Sequence, residues 1–309
     1  MAGVLVVMAG VSGCQKVLPG RGAGAAFSKA ATTGTATPAP LQLPLPKAQL
    51  TPHLGLSCVS APHGFSCVMQ QRIRRVRRHL AGQPGQIGVV LHDRKTGATW
   101  ENANARTDLP AASTVKLAMV TDLLLRRRSG TIGLGGYDWE LIGSVLSASS
   151  DTAADQLWFS FEDASFLQRI QHFGMHTASF TSSAYWGFMY CSARDLDNLM
   201  NYVLSDVPAH ERDFITHRMR RVAPIQQWGV WGAGPDHDPG NKDGWEDDGG
   251  VWVVNTVGFA GPHARYTLAI MDDLGGAGDF HQGTTTLDQI AALLFRGHYG
   301  PVPTVEATP

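Results

Sequence analysis

The chain has 309 residues, 43% of them apolar, and a formal net charge of −1. That length and apolar content allow one large core or two lobes sharing a cleft. The near-neutral balance provides no global field to attract nucleic acid, and no apolar run approaches the ~20 residues needed to span a bilayer.

Residues 1–14, MAGVLVVMAGVSGC, form a short apolar segment ending in small residues and a cysteine. Val11-Ser12-Gly13-Cys14 resembles a bacterial lipobox, which implies cleavage before Cys14 and a lipid on that cysteine. The segment lacks the usual cationic n-region and is short for a signal peptide, so the true start is expected upstream. Residues 15–62 are rich in Ala, Thr and Pro, with PAPLQLPLP at the centre. Such a stretch buries too little apolar surface to fold and reads as a linker. The folded domain is expected over residues 63–300, with a C-terminal tail at 301–309. The expected location is the outer face of the cell membrane, with the lipid on Cys14 as anchor. Cys58 and Cys67 bracket a short loop and could bridge in an exported protein, leaving Cys191 free; pairings of Cys191 with either are equally allowed.

Met69–Leu80 has helical periodicity, with Ile73, Val76 and Leu80 on one stripe and arginines around it. We read it as an amphipathic helix with solvated basic flanks rather than a lipid-attracted one. Gln86–Asp93 and Ala98–Glu101 read as a hairpin of strands. The run from Leu109 through Leu125 reads as a buried helix with Ser113 in its first turn, ending in Arg126-Arg127-Arg128-Ser129-Gly130. Residues 137–160 read as helix interrupted at Ser147–Thr152, with Ser150 or Asp151 as the cap of the resumed helix. Further helices are expected at 163–173, 193–204 and 211–221, with an irregular aromatic stretch over 174–191. Gln227–Trp231 reads as β-like. A strand begins near Lys242 and turns at Glu246–Gly250, strands follow at Val251–Val257 and Tyr266–Met271, and a last helix runs from about Thr284 to Phe295. This order predicts an α+β fold: an antiparallel sheet joining both chain ends, flanked by helices, with an all-helical subdomain inserted.

Three pieces carry chemistry. Ser113-x-x-Lys116 stacks a hydroxyl and an amine on one helix face, the arrangement of a nucleophile beside a base. The amine serves as a base only if burial or nearby cations lower its pKa. Ser149-Ser150-Asp151 lies between two helices, and Lys242-Asp243-Gly244 precedes the C-terminal strands. In this order they resemble the serine β-lactamase and penicillin-binding-protein superfamily, with its Ser-x-x-Lys, Ser-x-Asn and Lys-Thr-Gly motifs. Asp151-Thr152-Ala153-Ala154-Asp155-Gln156-Leu157 is similar to the segment that follows Ser-Asp in class A enzymes, and Cys191–Leu196 to the segment entering the helix after their omega loop. The resemblance spans roughly residues 65–297.

It implies that Ser113 attacks an acyl carbonyl and Lys116 accepts the proton. Ser149 passes a proton to the leaving group, with Ser150 the alternative in a shifted register. Lys242 holds a substrate carboxylate, and Ser150, Asp151, Asp243, Gly244 and Trp245 line the substrate. The N–H groups of Ser113 and Trp245 form the oxyanion hole. Asp243 replaces the family's hydroxyl residue and should repel carboxylate-bearing substrates. From Gly174 to Cys191 there is no glutamate or aspartate, so the deacylating base of class A enzymes is missing. Tyr185, Trp186 and Tyr190 stand there instead. Asp236-His237-Asp238 reads as a solvated loop, and no metal or cofactor is expected. Tyr185, Trp186, Trp228, Trp231 and Trp245 are divided between cleft lining and core.

The reading is an exported, monomeric serine acyl-hydrolase, slow or divergent. It acts on a small-molecule or peptidoglycan-like amide or ester, contacts the membrane only through its lipid, and has no nucleic-acid partner. The alternative is a non-catalytic envelope lipoprotein that keeps the fold for binding.

Overall fold

The first described helix, α1 (Cys67–Leu80), is capped by Ser66, whose side chain accepts from the Met69 N–H. The computed structural model describes Cys58 and residues 63–298; Cys14, the rest of the 15–62 linker and the 301–309 tail lie outside them. Cys58 and Cys67 form a disulfide and Cys191 is a buried free thiol. In α1 the apolar stripe Met69, Ile73 and Val76 is buried. One of its arginines is more than a solvated flank. Arg72 donates to the carbonyls of Leu294 and Phe295 at 2.9 and 2.8 Å, closing orphan carbonyls at a helix end.

The chain continues through β1 (Gln86–Asp93), β2 (Ala98–Glu101) and the short β3 (Leu109–Pro110). It then forms α2 (Lys116–Arg128), α3 (Gly136–Ser147), α4 (Asp151–Phe161) and α5 (Phe166–Gln171). Next come β4 (Ser179–Phe180), β5 (Met189–Cys191), α6 (Ala193–Ser205) and α7 (Ala209–Met219). The C-terminal part holds β6 (Gly240–Asp248), β7 (Val251–Ala260), β8 (Tyr266–Asp273) and α8 (Phe280–Phe295).

The main sheet is antiparallel in the order β2-β1-β8-β7-β6, so the first and last parts of the domain meet where β1 pairs with β8. The sheet separates two cores. Val90, Val257, Phe259, Ala269 and Met271 point to the side packed with α2 and α6. Their neighbours Val89, Leu91, Leu268 and Ile270 point to the side packed with α1 and α8, as period-2 alternation requires. Each fully buried Val, Leu or Ile contributes about 1.5–3 kcal/mol relative to exposure. α2 is embedded: every residue from Lys116 to Leu124 is buried.

Four expectations need correction. Gln227–Trp231 is not a strand; Gln227 and Trp228 link 3₁₀ turns at Pro224–Gln226 and Gly229–Ala233, and the second turn holds the rest. Gly229 has φ +63°, and a Cβ there would sit 2.5 Å from Thr256, so the chain turns in against β7. The last helix starts at Phe280 rather than near Thr284, because Asp279 caps it by accepting from the Gln282 N–H at 2.8 Å. The 163–173 helix shortens to Phe166–Gln171. The hairpin expected at Glu246–Gly250 forms with a shorter turn than read: Glu246–Asp248 belong to β6 and only Gly249-Gly250 connect to β7, with the Gly250 N–H donating to Asp247 at 2.6 Å.

Candidate active site

Ser113 sits on a 3₁₀ turn, Ala112–Val115, that runs directly into α2 at Lys116. The turn is held from several sides. Asn255 Nδ2 donates to the carbonyls of Pro110 and Ala111 at 2.8 and 3.2 Å, and the Ala111 N–H donates to Met189 O at 2.8 Å. Thr114 Oγ1 donates to Ala111 O at 2.6 Å. Against it lies Gly244 of β6, where a Cβ would stand 2.7 Å from the backbone nitrogens of both Ser113 and Thr114. Only glycine permits that approach, and it brings the backbone leading into Trp245 beside the Ser113 turn. Ala112 has φ +47° and Ser149 φ +58°, so the two serine turns carry left-handed non-glycine residues. Such strain gathers at functional sites. Ser113 is 8% exposed, and its hydroxyl makes no hydrogen bond among the described residues.

Lys116 is wholly buried at the start of α2. Its ammonium donates to Ser149 O at 2.8 Å and contacts Asp151 Oδ1, and it lies 4.4 Å from the centre of the Trp186 ring. Burial pulls its pKa down, while Asp151 and then Asp155 push the other way. Lys116 is therefore oriented toward Ser149 and Asp151 rather than toward Ser113 Oγ. Lys242, also wholly buried, donates to Ser149 Oγ at 2.7 Å, Gln226 Oε1 at 2.7 Å and Asp243 O at 2.6 Å. Burial, then the charge of Lys116, holds its pKa well below the usual lysine range. The structure thus gathers Ser149, Lys116 and Lys242 into one network, with Ser113 on the adjoining turn.

Other residues take different places from those expected. All three ammonium hydrogens of Lys242 have protein acceptors, so it has none to offer a substrate carboxylate. Asp243 is not in the cleft: side chains alternate along β6, and its carboxyl turns into the core to meet Thr256 Oγ1 at 2.6 Å. Burial raises its pKa well above the usual carboxylate range, and the carboxyl, wholly buried on Thr256, does not face a substrate. The Trp245 side chain packs on Trp228 and Phe280, with ring centres 6.2 and 6.0 Å away. Ser150 caps α4 through an acceptor bond from the Ala153 N–H at 3.2 Å. Asp151 alone of the expected substrate-lining acids is open, its side chain 73% exposed.

The aromatic stretch that stands in place of an acidic one closes over Lys116. Asp155 accepts from Tyr185 OH at 2.5 Å and from Trp186 Nε1 at 2.9 Å, holding the two neighbouring rings while that of Trp186 lies over the amine. Sequence reading missed Gln226, which satisfies Lys242 and the Asp243 N–H together, and Asn255, which braces the nucleophile turn. Neither has a short-range signal, since their partners lie far along the chain. Asp238 pairs with Arg220 at 2.7 Å and the His237 ring packs on Phe295. No cluster of three metal-ligating side chains occurs among the described residues.

No family model matches the chain. It is 25% identical over 210 residues to a Mycobacterium tuberculosis protein named as a lipoprotein, LppW, covering 64% of this chain and 67% of that protein. The Mycobacterium bovis protein of the same name aligns to the same extent. Among solved structures, a β-lactamase from Xanthomonas campestris superposes with TM-score 0.63 at 17% identity, covering 74% of this chain and 98% of that one. A class A β-lactamase representative from Bacteroides cellulosilyticus gives 0.63 at 14% identity, over 75% and 98% of the two chains. The structure described as PBP-A gives 0.60 at 18% identity, over 76% and 96%. This chain has the α+β fold of the class A β-lactamases and penicillin-binding proteins.

Proposed function

We propose that the protein is an exported, lipid-anchored serine acyl-hydrolase that acylates on Ser113 and releases the acyl group slowly. The carrying observation is the network of Lys116, Ser149 and Lys242 beside the unengaged Ser113 hydroxyl. In this reading Ser113 Oγ attacks the carbonyl of an amide or ester and its proton passes to Lys116 in its neutral form. The backbone N–H groups at Ser113 and Trp245 receive the oxyanion. Ser149 gives its proton to the leaving atom as the bond to the acyl carbon breaks, and Lys242 restores it, so the two lysines together neither gain nor lose a proton. Slow release follows from the absence of a carboxylate over 174–191 and from Trp186 covering Lys116. Anchoring through Cys14 is supported by the lipobox-like sequence and by the name of the LppW relatives.

A second reading, a binding or scaffold protein that has lost catalysis, is favoured by one observation: the Ser113 hydroxyl is hydrogen-bonded to neither lysine. Labelling the full chain with a fluorescent penicillin and an activated ester, with Ser113→Ala as control, separates the two. Serine-dependent label supports the acylating reading, and none with either probe supports the binding one. Radiolabelled palmitate in the producing cell tests the anchor; an unmodified Cys14 refutes it.

A further inference from the structure

We propose that the acyl donor carries a protonated amine near its scissile carbonyl, received by Asp151 and by the acidic outer half of β6. This rests on the Ser113 reading above. Four observations lead to it. The Asp151 carboxylate is open to solvent and, unlike an amide, can only accept hydrogen bonds. The face of β6 that carries Lys242 toward Ser149 continues through Gly244 to Glu246 and Asp248, both exposed and without hydrogen bond or ion pair among the described residues. At strand spacing these acids stand roughly 7 and 14 Å beyond Gly244, on the edge strand of the sheet. Neither lysine of the network awaits a carboxylate: Lys242 has an acceptor for each hydrogen and Lys116 is buried against Asp151 and Trp186. Ser113, 8% exposed and with its hydroxyl unpartnered among the described residues, marks where the acyl carbon arrives. Asp151 also holds Lys116 away from Ser113. A substrate ammonium competes for that carboxylate; Lys116, no longer held charged by it, gives its extra proton to bulk water and, as the neutral amine, turns to the serine to accept its proton.

The test uses three activated esters of equal length ending in an ammonium, a methyl or a carboxylate group, with acylation of Ser113 in the full chain followed by mass. The ammonium ester should react on the order of 10-fold faster than the neutral one, and the carboxylate ester slowest. Asp151→Asn should remove most of that preference. Glu246→Gln with Asp248→Asn, on exposed positions, should reduce it without loss of folding. Equal rates for the three esters, or a preference untouched by both variants, overturn the proposal. Binding of the three corresponding amides to Ser113→Ala, by calorimetry, is the second arm. If no ester labels Ser113 the nucleophile assignment fails, and tighter binding of the ammonium amide still supports a cation-selecting cleft while equal binding refutes it.

Discussion

Lys242 Nζ lies 2.7 Å from Ser149 Oγ, although the two residues are 93 positions apart. The bond joins the edge strand of the sheet to the turn before α4, and the site exists only where these parts meet. Gln226 completes it by accepting from both Lys242 Nζ and the Asp243 N–H. Gln226→Leu leaves an ammonium and an amide short of an acceptor in the core. It should cost about 1–3 kcal/mol or more, read as a lower urea midpoint with unchanged slope. An unchanged midpoint would show that the network contributes nothing.

The contact between Gly244 and the Ser113 turn has no slack. Gly244→Ala puts a methyl 2.7 Å from two backbone nitrogens and 3.2 Å from Ala111 O, all rigid atoms. Acylation of Ser113 should fall by on the order of 10²-fold, since displacement of an oxyanion donor carries that penalty. Label incorporation over time measures it, with circular dichroism to confirm the fold.

Asp151 raises the Lys116 pKa that burial lowers. Removing its charge in Asp151→Asn lets that pKa fall further, so the amine loses its proton at lower pH. The rising limb of the acylation rate against pH should therefore move to lower pH. A shift upward would contradict the role of Lys116 as base.

Asp288 sits under the Gly229 turn, and burial raises its pKa from 3.8 to about 8. Between those values the folded protein keeps a proton that the unfolded chain has lost. Its contribution is present in full below the unfolded value and is lost as pH rises toward 8. Asp288→Asn should flatten the decline of unfolding free energy by up to about 1.4 kcal/mol per pH unit between roughly pH 5 and 7. Parallel curves for the two proteins would refute the assignment.

Much of this architecture was legible from periodicity. β1, α2 and α6 have strong period-2 or apolar patterns that tertiary packing reinforced. The spacing of Ser113 and Lys116 marked the nucleophile turn, yet it did not reveal that Lys116 would face Ser149 and Asp151. Asp243 misled because its neighbours in sequence line the site, whereas strand alternation sends its carboxyl into the core beside Thr256. Gln227–Trp231 read as a strand because aromatic and β-branched residues dominate it; the left-handed Gly229 decides otherwise. Gln226 and Asn255 act through partners 16 to 145 residues away, a separation no local pattern carries.

The Trp186 ring lies over Lys116, 4.4 Å from the amine to the ring centre. Trp186→Glu introduces a carboxylate there and should shorten the life of a preformed acyl-enzyme by on the order of 10²-fold.

The most direct measurement is the lifetime of the Ser113 adduct in the unaltered full chain, followed by intact mass after excess acylating ester is removed. The adduct should be absent from Ser113→Ala and should persist for many minutes in the unaltered chain. Loss of the adduct within seconds, with product turnover to match, would contradict the proposed function, as would an adduct that survives Ser113→Ala.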